Sequence, residues 1–186
     1  MELYEKKIAE NKVYEGKIFD VYSDKVELPN KATSTRDWVK HNGGAGILVL
    51  DKDKNVYLVE QYRYSVGRVV LEIPAGKIDK GEDPYDSAIR ELEEELGFKA
   101  EKIEPLGVIL PTVGYVSERI HIYLATNYEV TKQNLDEGEF VNIVKMPLAT
   151  LIDKIENFEI EDAKTIIAVT RYILKYGDKN FKIKEK

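Results

Sequence analysis

The sequence of 186 residues contains no cysteine and only two histidines, His41 and His121. The absence of cysteine excludes a disulfide scaffold, a thiol nucleophile, an iron–sulfur cluster and a cysteine-ligated zinc site. Two histidines are too few for a metal site built mainly from imidazole groups. Because the chain has 34 aspartate and glutamate residues, any chemistry that it performs must depend largely on carboxylates.

Long apolar segments are also missing. No run approaches the ~20 apolar residues that span a bilayer, and the first residues, MELYEKK, lack the apolar core of a secretory signal. We therefore expect a soluble cytoplasmic protein. The net charge of −6 argues against nucleic acid as a partner, but it permits a small anionic substrate held by local basic side chains or by a metal ion.

The order of apolar patterns predicts a mixed fold of about one domain with a small appendage. Strands are predicted over 17–28, 35–40, 47–50, 56–62, 69–73, 106–110, 119–125 and 140–145, with a hairpin turn at 29–31. Helices are predicted over 84–96, 148–157 and 162–176. The glycine-rich segment 41–46 breaks the pattern and is the best internal boundary. This order predicts an α+β fold, or an α/β/α sandwich around a mixed sheet.

The first predicted helix carries a stripe of acidic side chains. Asp83 is suited to cap its first turn and Gly97 to end it. Glu91, Glu94 and Glu95 occupy positions i, i+3 and i+4 and therefore one face. A divalent cation would remove the repulsion among them, and oxygen ligands favour Mg²⁺ before Mn²⁺ or Ca²⁺. The alternative interpretation is a solvated helix face, which this spacing alone would favour.

The residues around the acidic stripe decide between these interpretations. Residues 76–98, GKIDKGEDPYDSAIRELEEELGF, fit the pattern G-x5-E-x7-R-E-U-x-E-E-x-G-U at every fixed position, where U is an aliphatic or bulky apolar residue. This pattern is the Nudix box, so the chain resembles the Nudix hydrolases, which cleave a diphosphate linked to another moiety. The fixed positions are Gly76, Glu82, Arg90, Glu91, Leu92, Glu94, Glu95, Gly97 and Phe98.

The resemblance implies a role for each polar residue of the box. Glu91 and Glu95 would serve catalysis directly, and Mg²⁺, which Mn²⁺ could replace, would neutralise phosphate charge and activate the attacking water. Gly76 would permit a tight turn before the helix, and Glu82 and Arg90 are at positions that pair structurally in the family. The implied metal ligands are the backbone carbonyl of Ala75 and the carboxylates of Glu91, Glu94 and Glu95.

Segments outside the box resemble the ADP-ribose pyrophosphatase branch of the family. They are YEGKIFDVYSDKVELPN, RDWVKHNGG, and the strings at 60–63, 71–76 and 162–165. The branch implies a small N-terminal antiparallel β-domain, here residues 1–43, and a Nudix catalytic domain with an α/β/α sandwich, here residues 44–186. It also implies a homodimer in which the N-terminal strands pack against, or exchange with, the partner subunit.

The same branch indicates substrate-binding residues. Trp38 and Phe19 are candidates for stacking on adenine, and Arg63 is a candidate for a bidentate phosphate contact. Glu72 and Glu118 are the other two candidates for binding the substrate. The alternative for the two aromatic residues is an ordinary place in a strand or at an interface, and the alternative for Arg63 is a charged surface residue that favours solubility.

An acidic loop at 134–140 matches a loop that assists catalysis in this branch. Glu137 aligns with its general base and Glu139 with a residue that helps to bind the metals, although a solvated turn is the alternative. A Ser-Pro-Gly string of the branch is replaced by Thr112-Val113-Gly114, which leaves the substrate open. We expect Mg²⁺-dependent hydrolysis of ADP-ribose to AMP and ribose 5-phosphate. The alternatives are hydrolysis of GDP-mannose or another nucleoside diphosphate sugar, and nucleotide binding without cleavage.

Overall fold

A computed structural model of the chain describes residues 2–177. Contacts divide these residues into two compact units. The first consists of the described residues up to Gly43 together with Leu110–Arg119, and the second of Gly44–Ile109 and the described residues from Ile120 onward. The segment 110–119, which the sequence analysis placed in the catalytic domain, therefore belongs to the first unit. Within residues 2–177, no helix is long and apolar enough to cross a bilayer.

The first unit is an antiparallel sheet, as the sequence predicted. Its strands are β1 (Lys6–Ala9), β2 (Lys12–Glu15), β3 (Phe19–Glu27) and β4 (Thr33–His41). Strand β4 pairs with β3 over its whole length, while β1 and β2 share the other edge of β3. The sequence did not indicate β1 and β2 as separate strands because every residue in them is exposed, so neither shows apolar alternation.

The segment 110–119 joins the first unit through the free edge of β4. The backbone N–H of Val39 donates to the carbonyl of Tyr115 (2.7 Å), and the N–H of Ser117 donates to the carbonyl of Val39 (2.9 Å). A parallel bridge between Val39 and Val116 results. These backbone contacts explain why a segment that is distant in sequence belongs to the N-terminal sheet.

The second unit is built on a seven-stranded mixed sheet. Its central order is β10-β11-β5-β6-β13, with β7 paired to β6 and β8 paired to β5; β11 is parallel to β5. Strands β9 and β12 form a separate two-stranded sheet. The elements are β5 (Gly44–Leu50), β6 (Asn55–Arg63), β7 (Arg68–Glu72), β8 (Ala75–Lys77), α1 (Pro84–Leu96), β9 (Phe98–Lys99), β10 (Glu104–Ile109), β11 (Ile120–Ala125), β12 (Glu129–Val130), β13 (Val141–Pro147), α2 (Leu148–Glu156) and α3 (Ala163–Tyr176).

Alternate side chains of the central strand β5 enter two separate cores. Ile47 and Val49 pack in a cluster that includes residues of α1, whereas Leu48 and Leu50 pack in a cluster that includes residues of α2 and α3. Since successive side chains of a strand point to opposite faces, the helices cover both faces of the sheet. The predicted α+β class and the sandwich around a mixed sheet are confirmed.

The predicted break at 41–46 is shorter than expected. Gly44 and Gly46 are already in β5, where they pair with β8. A Cβ on Gly44 would lie 3.2 Å from the carbonyl oxygen of Gly76, and one on Gly46 would lie 3.1 Å from Cδ1 of Ile73. These glycines therefore mark a close approach between neighbouring segments inside the sheet, which is a regular use of glycine in strands.

Candidate active site

The helix that carries the acidic stripe begins and ends where the sequence predicted. The side chain of Asp83 accepts a hydrogen bond from the backbone N–H of Tyr85 (2.8 Å), and Pro84 takes the first helical position. At the other end Gly97 adopts a left-handed conformation (φ 65°), and its N–H donates to the carbonyl of Glu93. These caps satisfy backbone groups that the ends of a helix leave unpaired.

The acidic side chains of this helix face the protein rather than the solvent. Glu91 is 6% exposed and Glu95 is 3% exposed, and Glu94 is half-buried. Buried carboxylates are costly unless they are hydrogen-bonded or paired with a positive charge. The interpretation of the stripe as a solvated helix face is therefore wrong.

Arg90 neutralises part of this acidic charge. Its Nη1 donates to Oε1 of Glu91 (2.8 Å) and to Oε2 of Glu94 (2.7 Å), and its Nε donates to Oε1 of Glu82 (3.0 Å). The second oxygen of Glu82 accepts from the backbone N–H of Asp79 (2.9 Å). The Arg90 guanidinium lowers the pKa of Glu82 below its usual value. This ion pair ties the loop before α1 to the helix.

Burial acts in the opposite direction on the two innermost acids. It raises the pKa of Glu91 to about 7, although Arg90 opposes the change. It also raises the pKa of Glu95 to about 8, and the charge of Glu91 adds to this effect. The charge of Glu139 raises the pKa of both groups, so the acidic loop brings Glu139 within electrostatic range of them. Glu137 of the same loop is exposed.

The segment before the helix fits closely around these carboxylates. The backbone N–H of Ala75 donates to Oε2 of Glu95 (2.9 Å) and so links β8 to α1. A Cβ on Gly76 would lie only 1.8 Å from Oε1 of Glu91. The first glycine of the box is therefore required because its missing side chain leaves the space that the Glu91 carboxylate occupies.

The carboxylates of Glu91, Glu94 and Glu95 suit a divalent cation as ligands, although each of them already accepts a hydrogen bond from another protein group. Within residues 2–177 no group of three acidic or histidine side chains is gathered as a metal site. The hydrogen bonds explain this, because Arg90 engages Glu91 and Glu94 while the Ala75 N–H engages Glu95. All the side-chain donors are carboxylate oxygens, which hard divalent ions prefer. A cation would also stabilise the charged forms that burial disfavours, so these residues fit such an ion.

A second group of charges lies around Glu72. This residue is 2% exposed, and its Oε1 accepts from Nε of Arg63 (2.7 Å) while its Oε2 accepts from Nζ of Lys164 (2.8 Å). The Arg63 side chain is 38% exposed. Glu72 thus supports Arg63 from the interior, and a direct contact of Glu72 with substrate stays a prediction. Sequence reasoning assigned no role to Lys164, since nothing local to residues 162–165 indicates its distant partner.

The other predicted substrate-binding residues lie in the first unit. The Trp38 ring stacks on Tyr22, with 4.9 Å between ring centroids. Phe19 is 42% exposed. Oε1 of Glu118 lies 3.4 Å from Nδ1 of His41. Their roles in binding a nucleotide stay predictions.

A polar segment that leads into the acidic loop binds the C-terminal end of α1, a contact that the sequence analysis did not predict. The N–H of Asn134 donates to the carbonyl of Glu94 (3.0 Å), and Nε2 of Gln133 donates to the carbonyl of Glu95 (2.7 Å). Thr131 donates to the carbonyl of Gly97 from both its N–H (2.6 Å) and its Oγ1 (2.9 Å). The segment 131–134 therefore fixes the start of the acidic loop to the helix that carries the buried acids.

Comparison with known proteins identifies the family. A model of the NUDIX domain matches residues 40–169. The chain is 39% identical over 175 residues to the ADP-ribose pyrophosphatase of Bacillus subtilis (strain 168), covering 93% of this chain and 95% of that protein. It is 39% identical over 168 residues to the methanol dehydrogenase activator of Bacillus methanolicus, covering 89% and 90%. The crystal structure of an ADP compounds hydrolase shares the fold, with a TM-score of 0.81 at 24% identity over 95% of this chain and 98% of that one. The chain therefore belongs to the Nudix hydrolase family.

Proposed function

We propose that this enzyme hydrolyses the diphosphate bond of ADP-ribose in a Mg²⁺-dependent reaction that releases AMP and ribose 5-phosphate. The observation that carries the proposal is the burial of Glu91 and Glu95 side by side on the box helix, with Glu139 close enough to raise the pKa of both. The similarity over nearly the whole chain to an ADP-ribose pyrophosphatase supports the choice of substrate.

Nudix hydrolases generally use divalent metal ions, and we assign the ion here as Mg²⁺, for which Mn²⁺ could substitute. An all-oxygen donor set favours such hard ions over softer ones. The bound ion would neutralise phosphate charge and lower the pKa of a coordinated water. The residues that we assign to hold it are Glu91, Glu94, Glu95, the backbone carbonyl of Ala75, and Glu139.

The chain's own side chains supply the remaining parts of the reaction. Arg63 uses only its Nε for Glu72, so within the part of the chain that the structure describes both of its Nη groups are available to a phosphate. We assign Glu137 as the general base that takes a proton from water while the water oxygen bonds to one phosphorus. The bond from that phosphorus to the bridging oxygen then breaks, and the second phosphate leaves. A positioned base of this kind contributes about 10²–10⁴-fold.

The test compares Glu95→Gln with Glu93→Gln on the same helix. Glu93 makes no side-chain hydrogen bond or ion pair with any residue between 2 and 177, so its variant controls for the loss of one negative charge. At saturating Mg²⁺ we expect Glu95→Gln to lose at least about 10²-fold in turnover of ADP-ribose, with Glu93→Gln close to wild type. Near-wild-type turnover by Glu95→Gln would contradict the metal assignment.

The wild-type enzyme should be assayed with a panel of nucleoside diphosphate sugars, with products separated by chromatography. A preference for GDP-mannose would replace ADP-ribose as the assigned substrate. Binding of ADP-ribose and Mg²⁺ in calorimetry without release of AMP would instead indicate a nucleotide-binding module.

We further propose that the enzyme is a homodimer formed through the N-terminal sheet. The support is a set of large apolar side chains in the first unit that are exposed in a single chain, because association would remove such surface from water. They are Leu3, Tyr4, Ile8, Val13, Tyr14, Ile18 and Phe19. Light scattering coupled to gel filtration should give twice the chain mass of 21.3 kDa; a monomer at micromolar concentration would contradict this proposal.

A further inference from the structure

Four charged side chains form a cluster around the buried Glu72, and Lys164 contacts both of its acids. Nζ of Lys164 donates to Oε2 of Glu72 (2.8 Å) and to Oδ1 of Asp162 (2.7 Å). The other oxygen of Glu72 accepts from Nε of Arg63 (2.7 Å). We call Arg63, Glu72, Asp162 and Lys164 the Glu72 network. The charge of Glu72 also contributes to the raised pKa of Glu95, so the network lies within electrostatic range of the proposed metal ligands.

The end of helix α3 holds Lys164 in place. Asp162 caps this helix, since its Oδ2 accepts from the N–H (2.9 Å) and the Oγ1 (2.7 Å) of Thr165. In turn, Oγ1 of Thr165 accepts from the N–H of Ile73 (2.8 Å), the residue that follows Glu72. A helix cap and a backbone contact therefore define the distance between Lys164 and Glu72.

Lys164 is charged in this cluster. Burial alone would lower its pKa, but Asp162 and Glu72 outweigh burial and raise the pKa above the usual value of lysine. The network contains two cations and two anions, so removal of Lys164 would leave two buried carboxylates with only Arg63 to neutralise them. Unpaired buried charges force neighbouring groups to rearrange.

The geometry of the Arg63–Glu72 pair shows which rearrangement would follow. An arginine and a carboxylate prefer a bidentate pair, in which two N–H groups bind two oxygens. Here Lys164 donates to Oε2 of Glu72, and Arg63 binds Oε1 through Nε alone. The Nη groups of Arg63 then remain available on the 38% exposed side chain. Without the charge of Lys164, Glu72 would attract Arg63 more strongly, which favours a second hydrogen bond from an Nη group to Oε2.

We propose that Lys164 is a positioning residue: by binding the second oxygen of Glu72 and offsetting the charge of Glu72, it keeps the Nη groups of Arg63 available for a phosphate of the substrate. Lys164 itself contacts no substrate. The inference rests on the proposed function, because it requires Arg63 to bind the diphosphate.

A double-mutant cycle with Lys164→Met and Arg63→Met tests the inference, with kcat and KM for ADP-ribose measured at saturating Mg²⁺. One charge-assisted hydrogen bond corresponds to about 10–100-fold. We expect Lys164→Met to lower kcat/KM within this range, mainly through KM, and Arg63→Met to lower it by at least as much. The double variant should be no worse than Arg63→Met, because Lys164 acts only through Arg63.

Matched variants separate this effect from a loss of folding. Lys175→Met removes another lysine–glutamate pair of the same helix, formed with Glu104 on the surface, and should keep wild-type kcat/KM. Lys164→Arg retains donors for both carboxylates and should keep most of the activity. Circular dichroism checks that each variant is folded, and if Lys164→Met does not fold, Lys164→Gln takes its place in the cycle.

The outcomes distinguish a failure of this inference from a failure of the proposed function. Multiplicative effects in the double variant, or wild-type kcat/KM for Lys164→Met beside an impaired Arg63→Met, would overturn the inference alone. Wild-type kcat/KM for Arg63→Met would overturn the phosphate contact in the proposed function and the inference with it.

Discussion

Replacement of Gly76 by alanine tests whether the position of the Glu91 carboxylate sets the activity. The added Cβ would lie 1.8 Å from Oε1, 2.0 Å from Cδ and 2.5 Å from Oε2 of Glu91. To regain an ordinary contact of 3.4 Å, the carboxylate must move by about 1.6 Å. Gly76 does not have a positive φ, and the obstacle is the end of a flexible side chain. The backbone should therefore accept the alanine.

The displacement of Glu91 should cost activity far more than stability. A misplacement of about 1 Å at a reacting centre costs about 10²-fold, so we expect kcat for ADP-ribose to fall by at least that factor. The shift would break the hydrogen bond between Glu91 and Arg90, and a charged hydrogen bond contributes about 1.5–3 kcal/mol at most. Since 1 kcal/mol shifts Tm by about 2–4 °C in a chain of this size, Tm should fall by no more than about 12 °C.

Two measurements on the same preparation check this prediction. Release of AMP from ADP-ribose at saturating Mg²⁺ gives kcat, and a thermal melt followed by circular dichroism gives Tm. A folded Gly76→Ala enzyme that retains more than half of the wild-type kcat would refute the reasoning. It would mean that Glu91 can leave its position without loss of catalysis, and hence that it is not a metal ligand.

Three further substitutions probe contacts outside the proposed metal ligands. Gly97→Ala should lower the free energy of unfolding by at least about 2 kcal/mol, as measured by denaturant titration. A left-handed alanine costs about 1–2 kcal/mol, and its Cβ would lie 2.5 Å from the backbone nitrogen of Gln133. Gln133→Leu removes the donor to a helix-terminal carbonyl and should lower Tm by about 2–4 °C. Asp51 accepts from Asn55 and Lys145, and these contacts hold its pKa below the usual 3.8. The ionised Asp51 therefore stabilises the fold fully above about pH 4, and this stabilisation is lost as the pH falls through the folded-state pKa. The Tm difference between Asp51→Asn and wild type should be present at pH 7 and should become smaller in acid. A Tm difference that does not change with pH would contradict this assignment.

The features of the site that the sequence revealed are those with local causes. Asp83 and Gly97 marked the ends of α1 because capping depends on residue types at fixed positions along the chain. The spacing of the acids placed them on one face for the same reason. The box pattern then identified the family, and the structure placed Glu91 and Glu95 in the interior, where spacing alone had favoured solvent.

The features that the sequence did not reveal depend on contacts between distant residues. Lys164 and Glu72 are 92 positions apart, and Gln133 and Glu95 are 38 positions apart. No local pattern connects such pairs, and a lysine or a glutamine in a polar segment is usually exposed. Strand β8 was missed for a related reason, since its three residues are too few to show a period and it is defined only by its pairing with β5.

The second glycine of the box links the helix to the acidic loop. Because Gly97 has no Cβ, the backbone of residues 132–133 can pass close to it, and Gln133 then reaches the carbonyl of Glu95. This contact and its neighbours fix the segment 131–134 to the residues whose carboxylates we assign to the metal. The loop continues from there to Glu139, whose charge raises the pKa of Glu91 and Glu95. The end of α1 thus fixes the start of the loop that carries Glu139, which explains why this glycine belongs to the same pattern as the acids.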